Sequence, residues 1–214
     1  MTRSASRPHQ LRAVLVGDDP AAWEAAGFTV DDGALLIGST VVVLDPSLPA
    51  GVRRVDIDGL EGEVDGLPVG PIDTPAIVTK PHGNRVRGFD HLVAMSPAIQ
   101  RTSDALATAG LDLRRTRTFA AGDDTRRQDV FWLGDVILEL VGVEGASGSG
   151  PATFWGLALE CDDLAAAAAV LGDHLGTAKD AVQPGRRIAT IRTREVGVSV
   201  PIALMSPHPR RDAG

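Results

Sequence analysis

The chain has 214 residues, 43% of them hydrophobic and 23% charged, and a formal net charge of −7. The acidic balance argues against a nucleic-acid partner, which needs a basic face, and no apolar run approaches the roughly 20 residues that span a bilayer. The single cysteine, Cys161, excludes an intrachain disulfide, and MTRSASRPHQ has no apolar stretch behind its basic residues, so no secretory signal and a cytoplasmic setting are expected.

In chain order, residues 1–10 read as a polar, disordered tail. LRAVLVG follows as a buried strand, and DDPAAWEAAGF as a short helix capped by Asp18 or Asp19 with Pro20 in its first turn. FTVDDGALLIGSTVVVLDP reads as strands broken at Asp31-Asp32-Gly33 and Gly38-Ser39. Residues 51–72 add one further strand pair with glycine turns. Residues 73–87, rich in Pro, Gly and basic side chains, are a linker, and His82 within it is expected at the surface. The remainder to residue 206 divides at the Gly/Ser-rich joint EGASGSGPA. The unit at 88–143 has a helix starting at Ser96-Pro97 and ending at Gly110. The unit at 152–206 has an Ala-rich helix capped by Asp162 or Asp163. His174 sits near that helix's end, where the dipole favours it. Residues 207–214, with His208, read as a surface tail. Cys161 closes an apolar strand with no basic neighbours and reads as a structural thiol.

The two units overlay in order of parts. GFDHLVAMSPAIQRTSDALATAGLDL through FWLGDVILELVG matches TFWGLALECDDLAAAAAVLGDHLG through VGVSVPIALMS, and each reads as strand, helix and three strands. One such unit cannot bury its own apolar face, so the copies must share a core. ALLIGSTVVVL at 34–44 lines up with VFWLGDVILEL at 130–140, which makes 11–72 a degenerate region of similar form.

This order of elements resembles the vicinal oxygen chelate, or glyoxalase-like, superfamily. The resemblance implies an α+β fold in which paired βαβββ modules form an open, cup-shaped mixed β-barrel. It also implies a divalent metal held by side chains from the first and fourth strands of each module. Carried over, those positions are His91 and Glu139 in the middle module, Gly156 and Ala203 in the C-terminal one, and Ala13 and Val43 in the N-terminal region, so two of four ligands remain.

Strand periodicity supports the first pair independently: Phe89, His91 and Val93 fall on one face, as do Ile137, Glu139 and Val141. A carboxylate inside DVILELVGV needs a partner. Three readings stay open. A metal could be held by His91 and Glu139 with Gln128 or Gln183 completing the set; a metal-free pair could bind or deprotonate a ligand, with Glu139 as base and His91 as acid or hydrogen-bond donor; or the two could satisfy each other in an inherited core. Arg126-Arg127-Gln128 and Gln183-Pro-Gly-Arg186-Arg187 place a basic pair at similar points of the two modules, where an inward arginine would take a carboxylate or phosphate. Trp132, Trp155 and Phe131 would wall such a cavity. Arg114, Arg115 and Arg117 read as a solvent-facing strand. The expected function is therefore binding, and transformation by lyase, isomerase or dioxygenase chemistry, of a small carbonyl-containing or anionic molecule. The alternative is a metal-free binding or resistance protein. A homodimer, with no nucleic acid and no membrane, completes the expectation.

Overall fold

The computed structural model describes residues 9–208, which form two mixed sheets. The first is built from β1 (Leu11–Val16), β2 (Ala34–Ile37), β3 (Thr40–Leu44), β4 (Val52–Ile57), β5 (Gly62–Val64) and β6 (Leu67–Val69), with α1 (Pro20–Ala25) after β1. The second contains β7 (Val86–Met95), β8 (Leu113–Ala121), β9 (Asp124–Leu133) and β10 (Val136–Val143), with α2 (Ile99–Thr108) after β7. It continues with β11 (Thr153–Cys161), α3 (Leu164–Leu171), β12 (Lys179–Asp180), β13 (Arg187–Ile191) and β14 (Ile202–Met205). No helix among the described residues is long and apolar enough to cross a membrane.

The eight-stranded sheet runs β12-β13-β14-β11-β7-β10-β9-β8 and curls into an open half-barrel. In each half the first strand lies parallel to the last, β7 with β10 and β11 with β14, and the halves join through antiparallel β7 and β11. The six-stranded sheet, β2-β3-β1-β4-β6-β5, follows the same rule in reduced form. There β1 is parallel to β3, β4 is parallel to β6, and β1 joins β4 antiparallel. Residues 51–72 are thus more than an added strand pair: β4, β5 and β6 form a fourth module that lacks both its helix and one strand.

Alternation along the strands sorts the faces. In β10, Val136, Leu138 and Leu140 are buried while Ile137, Glu139 and Val141 are half-buried. The buried faces of both sheets belong to one apolar cluster running from Val14, Trp23 and Leu35 to Leu92, Phe131 and Leu204. Each such side chain contributes about 1.5–3 kcal/mol on burial. The other face of the eight-stranded sheet stays open.

Asp19 caps α1 through the Ala21 N–H, and Asp163 caps α3 through those of Ala165 and Ala166. The middle helix begins two residues later than its Ser-Pro signal implies. Ser96 Oγ accepts from the Ala98 N–H and bonds Thr102 Oγ1, bracing the turn before α2. The tail expected at 1–10 lies outside the described residues up to residue 8. His9 and Gln10 are tied to Asp58 through backbone and ring hydrogen bonds. Of the tail at 207–214, residues 209–214 also lie outside the described residues.

His82 is not at the surface. It is buried, its Nδ1 accepting from the Thr29 N–H at 3.0 Å and its Nε2 facing the Leu36 carbonyl at 3.1 Å. The neutral Nε2–H tautomer satisfies both contacts, and it pins the linker to the first sheet. Burial pushes the imidazole's pKa below its ordinary 6.5, against a smaller upward pull from the Leu36 carbonyl. Below about pH 6.5 the unfolded chain therefore binds more protons at this site than the folded one. Stability should fall as pH drops through 6.5 toward the lowered folded value. Urea midpoints measured between pH 7.5 and 5 check this, and the His82→Gln variant should show a shallower slope.

Candidate functional site

Strand β7 carries a bulge. His91 lies opposite Ala158 and Phe89 opposite Leu159, so Asp90 is the extra residue. A bulge shifts the parity of side chains along its strand. Phe89 consequently joins the core cluster, whereas His91 faces the half-barrel. The expectation that Phe89 shares a face with His91 and Val93 is corrected by this one-residue insertion. Asp90, fully inside, can then turn its carboxylate onto the neighbouring imidazole.

Asp90 Oδ1 lies 2.9 Å from His91 Nδ1, and Oδ2 lies 2.5 Å from an Arg186 Nη1 whose side chain has no exposure. On the other side, His91 Nε2 stands 3.3 Å from Glu139 Oε2. Burial pushes the Asp90 carboxyl up, but the His91 hydrogen bond and the Arg186 charge outweigh it. The group is therefore held below the usual carboxylate range. Both imidazole nitrogens thus face carboxylate oxygens, and the Asp90 contact is a hydrogen bond when Nδ1 carries the proton. The Asp90 side fixes ring orientation, and the Glu139 carboxylate stands beside Nε2 on the open face. Such an arrangement can pass a proton to or from a molecule bound on that face.

Arg186 is delivered by a tight turn. The Arg186 N–H donates to the Gln183 carbonyl at 3.2 Å, with Pro184 and Gly185 between and Gly185 at φ +76°, as a type II turn requires. Its Nε donates to the Ser206 carbonyl at 2.7 Å and its Nη1 to Gln183 Oε1 at 2.6 Å, with His208 Nε2 at 3.2 Å. His208, expected in a free surface tail, is therefore part of this support. The outer nitrogen Nη2 has no partner among the described residues.

Register places the other candidates. Trp132 sits opposite Ile137, which lies opposite His91; Gln128 sits opposite Val141, one row beyond Glu139. These two share the open face with His91 and Glu139. Trp155 is the extra residue of a second bulge, beside Gly156, and is 53% exposed. Gln183 and Arg186 lie behind Asp90, with Gln183 Oε1 and the Nε and Nη1 of Arg186 engaged as described. Arg187 is exposed, donating to the Ala178 carbonyl and facing Asp180 at 3.9 Å, apart from the His91 face. Sequence reasoning passed over Asp90. A second acid inside the apolar run GFDHLVAM was the available signal.

The two further positions that the resemblance assigns to metal ligands fall at Gly156 and Ala203, the latter opposite Ala158 on β11. A Cβ at 156 would come within 2.9 Å of the Pro201 carbonyl oxygen, so that position excludes a side chain unless the backbone moves. Among the described residues, no group of three or more His, Cys, Asp and Glu side chains is arranged to hold a metal ion. His91 and Glu139 supply two donors, fewer than the three or four protein ligands of a stable catalytic or structural site. The donor set does not fit a resident divalent ion.

No protein-family model and no curated protein sequence matches the chain. Solved structures do. A mutant of 4-hydroxymandelate synthase from Streptomyces coelicolor superposes with a TM-score of 0.65 at 12% identity, covering 97% of this chain and 95% of that one. A fusion protein of a xylose isomerase-like TIM barrel and 4-hydroxyphenylpyruvate dioxygenase gives 0.61 at 12% identity, over 98% of this chain and 51% of that one. A variant of homoprotocatechuate 2,3-dioxygenase from B. fuscum gives 0.55 at 11% identity, covering 100% and 77%. At such identities the likeness establishes the fold.

Proposed function

From the vicinal oxygen chelate fold that this chain has, we propose that the open face around His91 and Glu139 binds a small carbonyl-containing or anionic molecule and moves a proton on it. The single observation that carries this is the imidazole set between two carboxylates, at 2.9 Å and 3.3 Å. In the proposed step, Glu139 takes a proton from carbon next to the carbonyl. The His91 Nε2–H donates to the carbonyl oxygen as negative charge develops there, while Asp90 keeps Nδ1 protonated. Lyase and isomerase outcomes both begin with this step. Trp132, Ile137, Val130 and Val141 form the apolar floor beside it.

A second reading is favoured by Gly156 and Ala203. With half of the metal positions occupied by residues without donor side chains, the cup could hold its ligand without turning it over, as a binding or resistance protein. One experiment separates the two. A panel of small 2-oxo and 1,3-dicarbonyl compounds is incubated with the protein in deuterated buffer, and exchange of the acidic C–H is followed by proton NMR. Exchange in the wild type should drop about 10²–10⁴-fold in Glu139→Gln. Exchange that survives Glu139→Gln intact would sink the proton-transfer reading. Saturable binding with no exchange in either protein would establish the second.

A further inference from the structure

The half-barrel face continues outward from Glu139 across β9 to β8, and the pairing there is regular. Arg115 lies opposite Val130, which lies opposite Glu139; Arg117 lies opposite Gln128; Phe119 lies opposite Arg126. Arg115, Arg117 and Arg126 therefore stand on the same face as His91 and Glu139, since directly opposed residues share a side of the sheet.

The arginines of alternate parity on the same two strands are already paired. Arg127 donates to both oxygens of the buried Asp129 and to Gln100, and Arg114 meets Asp112 at 3.4 Å. Those on the open face have, among the described residues, no carboxylate within 3.5 Å. Among the described residues Arg115 makes no ion pair, and Arg126 reaches only Asp124, at 3.9 Å. Arg117 lies over the Phe119 ring at 5.0 Å, and its Nε is buried without a hydrogen-bond partner. In a chain with 28 acidic and 21 basic residues, three cations left without close carboxylates on one face mark a place for an anion from outside.

We propose that Arg115, Arg117 and Arg126 form the anion-binding end of this face, taking the carboxylate or phosphate of the molecule whose acidic carbon lies against Glu139. The inference rests on the proton-transfer reading of His91 and Glu139 and names the substrate class for it: a small organic acid or phosphate ester with an apolar body. Two strand spacings separate the Arg115 and Glu139 backbones, about 10 Å, with Val130 between them and Trp132 and Val141 in the neighbouring rows of the same face. A metabolite-sized molecule spans that distance, its anion held at one end by planar guanidinium forks. Keeping the anion on the outer strands also keeps it away from the Glu139 carboxylate, which would repel it.

The test uses the full chain and two probes, phenyl phosphate and phenylacetate, titrated against ¹⁵N-labelled protein at low salt. The proteins are wild type, Arg115→Gln/Arg117→Gln, Glu139→Gln, and Arg194→Gln as a surface control. Both substituted positions on β8 are exposed or half-buried at a sheet edge, and a retained amide spectrum confirms folding. Wild type should bind with shifts centred on β8 and β9. Affinity should fall at least about tenfold in the double variant, stay at wild-type level in the control, and weaken with added salt. Equal affinity in wild type and double variant would overturn the proposal, as would no binding by wild type at tens of millimolar. A preference between the two probes identifies phosphate or carboxylate as the source. Arginine-dependent binding together with exchange indifferent to Glu139→Gln would retain the anion site and reject the proton-transfer reading. Glu139-dependent exchange with arginine-independent binding would do the reverse.

Discussion

Replacing Arg186 by Met should destabilise the protein by about 3–5 kcal/mol, more than any surface substitution. The guanidinium is fully buried and stands 2.5 Å from Asp90, whose side chain is itself only 6% exposed. Removing it leaves a carboxylate inside the protein with only His91 for a partner, and it frees the Ser206 carbonyl and the Gln183 side chain. Urea unfolding of Arg186→Met, Asp90→Asn and the double variant measures this. The double variant should recover much of the loss, because a neutral amide no longer needs the cation. Additive losses would show that Arg186 acts by packing alone. The same pair sets an acid limit. Since the folded Asp90 carboxyl is held below its usual range, its contribution is complete above the ordinary carboxylate pKa and is lost as pH falls through the lowered folded value. Asp90→Asn should flatten the acid limb of the stability profile. It should also release His91 from a single tautomer, visible in the ¹⁵N shifts of the ring.

Trp23→Ala should cost about 3–5 kcal/mol through the cavity it leaves. For a chain of this size that lowers the melting temperature by about 10 °C. Trp23 has no exposed surface, and its ring packs against Phe28 at 5.1 Å between centroids. Its Nε1–H donates to Asp18 Oδ2 at 3.0 Å, and Asp18 also accepts from the Ser199 N–H near β14. The tryptophan therefore helps tie the first helix to the last module. Trp23→Phe, which keeps most of the volume but not the donor, should lose distinctly less. If both variants lose the same amount, the Asp18 bond rather than the cavity sets the cost. Calorimetric melting of the two variants decides between them.

Much of the site was legible in the chain because strands carry a period of two. The alternation of β10 alone placed Glu139 on the open face beside Ile137 and Val141, whereas on β9 the structure keeps Gln128 and Trp132 on that face and turns Phe131, expected beside them, into the core. The two-module repeat was legible because each copy repeats a long apolar strand, a capped helix and a terminal apolar strand. β5 and β6 have three residues each, too few to show a period, so the fourth module was read as a strand pair. The bulge at Asp90 was also hidden. Nothing in GFDHLVAM marks which residue is inserted, since the bulge is defined only by the partner strand β11, whose residues lie some 70 positions away.

Local pattern, then, carried what local pattern can: the two long repeated modules, the caps of the first and third helices, and the alternation that sets Glu139 beside Ile137 and Val141. Tertiary structure alone decided which polar groups meet. Asp90 was turned onto His91 and held by Arg186 from β13's approach, His82 was drawn from a linker into the core, and Arg115 and Arg117 were set in line with Glu139 while their neighbours found carboxylates. The physical reason is that burial and pairing of a charge depend on groups distant in sequence, as Asp90 depends on Arg186, 2.5 Å away across the fold. Hydrophobic period specifies the face of a strand, and it carries no information about which distant partner completes it.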